Sequence, residues 1–137
     1  MLRSVIAVTA GVLIGVAIVI YASFIVSAML PSGFDPGKAA DMTALPVVNQ
    51  AGIVAVWFVG VFLAALAATL ISGKWAPVSW IVAATMALFA MSNYSSFPAP
   101  AWMQLATYAA IVGAGWAPVR LTNASYARPT LTRGGGL

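Results

Sequence analysis

Two carboxylates, Asp35 and Asp41, stand six residues apart in the segment SGFDPGKAADM, with Lys38 between them. They are the only acidic residues in a chain of 137. Paired carboxylates can divide general-acid and general-base work, and two in one loop can contribute to a divalent cation site. Neither chemistry fits this spacing. Gly33, Pro36 and Gly37 keep the segment irregular, so no helix holds the two side chains on one face. A hard cation needs about six oxygen ligands, and the loop supplies two carboxylates.

Other reactive side chains are scarcer still. The chain has no Cys and no His, which removes thiolate nucleophiles, disulfides and imidazole ligands for haem, zinc, copper or chlorophyll-type magnesium. The glycines Gly134 to Gly136 are not followed by Lys-Ser/Thr and open no helix, so they are not a phosphate-binding loop. The chain reads as a non-enzyme with no metal centre and no intrinsic cofactor.

The elements that fill the rest of the chain explain this poverty. Hydrophobic residues make up 63%, charged residues 6%, and the mean hydropathy is +1.03. Soluble domains are roughly a quarter charged. Four apolar runs, residues 4–30, 52–72, 75–92 and 99–117, contain no Asp, Glu, Lys, Arg or His. Runs of about 18 or more such residues read as membrane-spanning helices. The expectation is an all-α fold, a four-transmembrane-helix bundle over residues 1–119, followed by a polar tail over 120–137. The first run, about 27 residues, exceeds the roughly 7–15 of a secretory leader's apolar core, so it reads as a span.

The bases report orientation. Arg3, Lys74, Arg120, Arg128 and Arg133 fall on one side of the four-span plan, while Lys38, Asp35 and Asp41 fall on the other. By the positive-inside rule the topology is N-in/C-in, with both termini cytoplasmic in a bacterial inner membrane. These bases form no patch, which argues against nucleic acid as a partner.

Punctuation sets the span ends. Pro31 stops span 1, which at about 1.5 Å per residue is near 40 Å long and must tilt or project. Asn49 and Gln50 offer capping groups before span 2. Gly73 ends span 2 in a tight turn, and Pro77 suits the first turn of span 3. Span 3 then has only about 16 residues before Ser92-Asn93, roughly 24 Å. Pro98 and Pro100 open span 4 and Pro118 closes it. Trp75, Trp80 and Trp116 near the inner ends, and Trp57, Tyr94, Phe97 and Trp102 near the outer ends, read as interfacial belts.

Within the spans, small residues recur every fourth position: Ala7, Gly11 and Gly15 in span 1, Gly60, Ala64 and Ala68 in span 2, and Ala109, Gly113 and Ala117 in span 4. Such rows let helix backbones approach closely, within the bundle or against another subunit. The polar residues inside the spans are mild: Ser23, Ser27, Thr69, Thr85, Gln104 and Thr107. Ion or proton transport ordinarily leaves an intramembrane charge, and none is present. Gln104 reads as an interhelical or interfacial hydrogen-bonding group.

The segments MLRSVIAVTAGVLIG, AMLPSGFDPGKAADMTALP, WFVGVFLAALAATLISG and FPAPAWM together resemble a broad set of uncharacterised bacterial four-span membrane proteins. The resemblance runs from Met1 to about Val119 and implies the four-span topology. It also implies that a Glu and a His common in the outer half of span 1 are replaced here, with alignment on Pro31, by Ser23 and Ser27. A polar activity centred there would be lost in this chain.

The functional expectation is a non-catalytic accessory subunit of a larger membrane complex, of the kind found in respiratory or photosynthetic energy-transducing assemblies. Its partners would be other membrane subunits and the bilayer, with Arg120, Arg128 and Arg133 of the tail as contacts and the Asp35/Lys38/Asp41 loop as a second contact. Two alternatives follow from other features. One is a small homo-oligomeric transporter or channel using Ser23, Ser27, Gln104 and Thr107. The other is a binder of lipid, quinone or carotenoid, needing an apolar groove and a donor such as Tyr108 or a Trp N–H.

Overall fold

The structure, a computed structural model, describes residues 2–29 and 41–127. Asp35, Lys38, Arg128 and Arg133 lie outside the described residues, as does the side chain of Ser27. Four helices make up the fold: α1 (Leu2–Ala28), α2 (Val47–Ile71), α3 (Ala76–Ser96) and α4 (Ala101–Leu121). No strand occurs among the described residues; Trp75 and Ser125 form one isolated parallel bridge. Three helices, α1, α2 and α3, are long and apolar enough to cross a membrane. The remaining helix, α4, matches α3 in length at 21 residues. It falls short in apolarity because it carries Gln104, Thr107, Pro118 and Arg120.

Three expected boundaries move. Instead of starting at residue 52, α2 starts at Val47, with Pro46 (φ −56°, ψ 144°) as an extended N-cap whose carbonyl accepts from Asn49 N and Gln50 N at 2.9 and 3.1 Å. Asn49 and Gln50 therefore lie inside the first turn and cap nothing. Their amides reach other segments: Asn49 Nδ2 donates to the Val26 carbonyl at 3.2 Å, and Gln50 Nε2 to the Met42 and Leu45 carbonyls at 2.8 and 3.0 Å. Rather than stopping at Ser92, α3 continues to Ser96, where the Ser95 and Ser96 hydroxyls return to the Ser92 carbonyl. At 21 residues it is about 32 Å long, so the short span expected from the sequence does not arise. Pro118 sits within α4 rather than ending it. The lost N–H falls in the last turn, where Thr122 N and Oγ1 both bond the Pro118 carbonyl and hold the helix end.

The packing plan is a rhombus. Helices α2 and α3 touch each other and both remaining helices, while α1 and α4 do not touch. Side chains follow an inside-out distribution. The seam between α1 and α2 is made of Ala7, Gly11 and Gly15 against Gly60, Ala64 and Ala68, all buried. Large apolar residues point outward instead: Phe24 is 76% exposed, Leu105 71% and Val48 82%. A water-soluble bundle would bury those side chains. In lipid no hydrophobic force favours hiding them, and close van der Waals contact between backbones holds helices together.

Large residues fill the centre, where α2 meets α3 and α4. Trp57 is 2% exposed and its ring lies 5.8 Å from that of Phe89. Trp57 is thus a core residue and not the interfacial anchor its position suggested, because α2 has neighbours on three sides. Tyr94, expected in the same belt, is also buried.

The glycines separate tight from open positions. A Cβ at Gly11 would stand 2.8 Å from the Ala64 carbonyl oxygen and 2.9 Å from the Ala68 Cβ, whereas at Gly113 the nearest atom, of Phe58, is 3.9 Å away. Gly11→Ala should lower the unfolding free energy in detergent by about 1–3 kcal/mol through overpacking. Gly113→Ala should instead be neutral or stabilising by up to about 1 kcal/mol, through helix propensity. Thermal or denaturant unfolding of the two variants checks the contrast, and equal losses would refute the seam.

Candidate functional site

Four of the polar residues expected within the spans, Thr69, Thr85, Gln104 and Thr107, are bonded where they stand. The Thr69 and Thr85 hydroxyls donate to the Ala65 and Ile81 carbonyls of their own helices at 2.7 and 2.9 Å. Thr107 and Tyr94 share a buried O–H···O bond of 2.7 Å between α4 and α3. Ser79 Oγ donates to the Gly115 carbonyl at 2.6 Å, at a point where a Cβ on Gly115 would stand 2.7 Å from the Ala83 Cβ. This second α3–α4 tie was not singled out from the sequence, since neither residue belongs to a regular row. Gln104 Nε2 donates to the Ala99 carbonyl at 2.9 Å, a local bond at the start of α4 and not an interhelical one.

These positions do not converge within one chain. Ser23 and Ser27 lie on α1, Gln104 and Thr107 on α4, and the two helices make no contact. The groups proposed as a polar lining therefore sit on opposite sides of the bundle.

The small-residue rows divide in the same way. Those of α1 and α2 are used up against each other. The row on α4 is not its packing face: Ala109 is exposed and Gly113 and Ala117 are half-buried, while Met103, Thr107, Ile111, Ala114 and Gly115 face the bundle. Four-residue spacing identified a face but not its direction. On the outward side Leu105, Val112 and Trp116 flank the small residues.

The two ends of the bundle differ in charge. At one end lie Arg3 at the start of α1, Lys74 in the α2–α3 turn and Arg120 in the last turn of α4. Arg3 Nε donates to the Ile71 carbonyl at 2.6 Å, capping the C-terminus of α2, where the helix dipole favours a cation. Gly73 at φ +82° provides the left-handed turn beside it. The chain after α4 closes over the same turn: Ser125 N donates to the Lys74 carbonyl and Ala76 N to the Ser125 carbonyl, each at 2.9 Å. Trp80 Nε1 donates to the Tyr126 hydroxyl at 3.1 Å. Trp75 Nε1 is enclosed and has no hydrogen-bond partner among the described residues.

Asp41, the one acid among the described residues, lies at the other end, where Met42 N bonds the Pro98 carbonyl at 2.9 Å. Its carboxylate accepts from the hydroxyl and the backbone N–H of Thr43. Those two bonds, the hydroxyl first, hold its pKa below the ordinary 3.8. Among the described residues no group of His, Cys, Asp or Glu is placed to hold a metal ion.

A groove of about 390 Å³ opens at the basic end, lined by Trp116, Val119, Arg120, Asn123, Ala124 and Tyr126. The Arg120 guanidinium lies 5.3 Å over the Trp116 ring. Compared with protein-family models, curated proteins and solved structures, the chain matches none.

Two outcomes follow. In a double-mutant cycle, Tyr94→Phe and Thr107→Val should show a coupling of about 0.6–2 kcal/mol in detergent unfolding, since each removes the other's partner. Additive losses would refute the bond. Because the Asp41 pKa is lowered, its turn is stabilised above the ordinary carboxylate value and loses that support as pH falls through the folded-state value. Thr43→Val should move the Asp41 titration midpoint, read by NMR, upward toward 3.8.

Proposed function

We propose that the chain is an integral membrane protein that crosses four times, with both termini cytoplasmic, and serves as a non-catalytic accessory subunit of a larger membrane complex. The observation that carries the subunit reading is the outward row Ala109, Gly113, Ala117 on α4. The equivalent rows of α1 and α2 are occupied within the chain, and this one is not. A face that permits close backbone approach and is flanked by Leu105, Val112 and Trp116 suits another membrane helix.

Charge placement supports the topology. Arg3, Lys74 and Arg120 gather at one end and Asp41 at the other, as the positive-inside rule requires of a bacterial inner-membrane protein. Treating α4 as a fourth span agrees with its length and with where its polar groups go. Thr107 is turned into the bundle and bonded, Gln104 is bonded at one end, and Arg120 lies at the other. The transporter reading draws no support from a single chain, since its four polar candidates lie on helices that do not touch.

Affinity purification from mild detergent should recover the chain with stoichiometric membrane partners. Recovery of the chain alone would overturn the subunit reading. Ala109→Leu with Gly113→Leu should abolish co-purification while leaving the chain's own melting temperature within about 2 °C, since surface changes away from packing features cost little. For topology, a fluorescent-protein fusion at the C-terminus should fluoresce and an alkaline phosphatase fusion there should be inactive. The reverse pair of results would invert the orientation.

A further inference from the structure

We propose that the groove at the end of α4 binds the phosphodiester headgroup of an anionic phospholipid, a proposal that rests on the membrane reading above. The argument begins with its donors. The Arg120 guanidinium has no hydrogen bond and no carboxylate partner among the described residues, and the one described acid, Asp41, belongs to the opposite end. Its guanidinium is held over Trp116, which orients a planar fork of N–H donors without consuming them. The Tyr126 hydroxyl accepts from Trp80 Nε1, so its own O–H remains to donate. Asn123, held at φ +50° in the turn after α4, adds a side-chain amide that bonds nothing among the described residues.

Three free donors thus line one groove, and no carboxylate lines it among the described residues. This is the chemistry of phosphate recognition, in which Arg supplies charge and geometry and neutral donors take the remaining oxygens. The position selects the source of the phosphate. Trp116, Trp80 and Tyr126 are amphipathic rings of the kind that collect at headgroup depth, and Lys74 and Arg3 add positive potential at the same end. A basic pocket at the cytoplasmic end of a helix bundle meets lipid phosphates at high local concentration.

The test uses the full chain in mild detergent, titrated with phosphatidylglycerol, phosphatidylcholine or inorganic phosphate and read by native mass spectrometry. Phosphatidylglycerol should bind about fivefold more tightly than phosphatidylcholine, the effect expected of one basic residue near an anionic headgroup. Arg120→Gln should reduce phosphatidylglycerol to the level of phosphatidylcholine. Lys74→Gln, which removes the same charge at the same end but outside the groove, should keep most of the preference. Equal lipid binding by wild type and Arg120→Gln, an equal loss in Lys74→Gln, or displacement of the lipid by millimolar inorganic phosphate would each overturn the proposal. Alkaline carbonate extraction separates the two claims. A chain released from membranes overturns both readings, and a chain retained there without a phosphatidylglycerol preference overturns the groove alone.

Discussion

The separation of α1 and α2 is the constraint on which the bundle depends. At Gly11 the facing helix leaves no room for even one methyl group beside the Ala64 carbonyl and the Ala68 Cβ. In an apolar solvent, helices gain nothing by burying Leu or Phe, so contact between backbones supplies the attraction that water supplies elsewhere. That requirement explains the small residues inside and the large ones outside. It also seats α2 centrally, where Trp57 and Phe89 fill the wider gap that a seam of alanine and glycine cannot.

The polar groups follow a second rule, that a buried group is hydrogen-bonded, with Trp75 Nε1 the exception among the described residues. Thr69 and Thr85 return to their own helices, Ser79 and the Tyr94–Thr107 pair tie α3 to α4, and Asn49 and Gln50 close one end by reaching carbonyls of neighbouring segments. Among the described residues every charged side chain is exposed and lies at an end of the bundle. The outward row on α4 and the groove at the basic end lie on the bundle's outer face and one of its ends.

Much of this was legible in the residues. The four uncharged runs became four helices, the rows of α1 and α2 became a seam, and Gly73 and Pro77 took the turn and first-turn places expected of them. The sequence was less informative where a neighbour decides the outcome. Spacing reveals that Ala109, Gly113 and Ala117 share a face, but the direction of that face depends on Ser79 and Ala83 docking at Gly115. Trp57 resembled an anchor because its depth was inferred along one helix, whereas its burial comes from two others. Helix ends were misplaced because Asn49 and Gln50 were read as caps and Pro118 as a closing residue. In the structure both amides lie inside α2, which Pro46 caps, and Pro118 is a tolerated member of a last turn.

The clasp formed by Ser125 with Lys74 and Ala76 has a consequence for how the protein is made. Helices α1 to α3 emerge from the ribosome first and all pack on one another, while α4 touches only α2 and α3. Until α4 arrives, the face of α3 that carries Ser79, Ala83 and Tyr94 lacks the cover that Gly115 and Thr107 give it. Only when the residues just beyond α4 have been synthesised can Ser125 complete its two bonds on the α2–α3 turn. The two bonds of Ser125 on the α2–α3 turn therefore require the residues that follow α4, in addition to the turn's own backbone bonds.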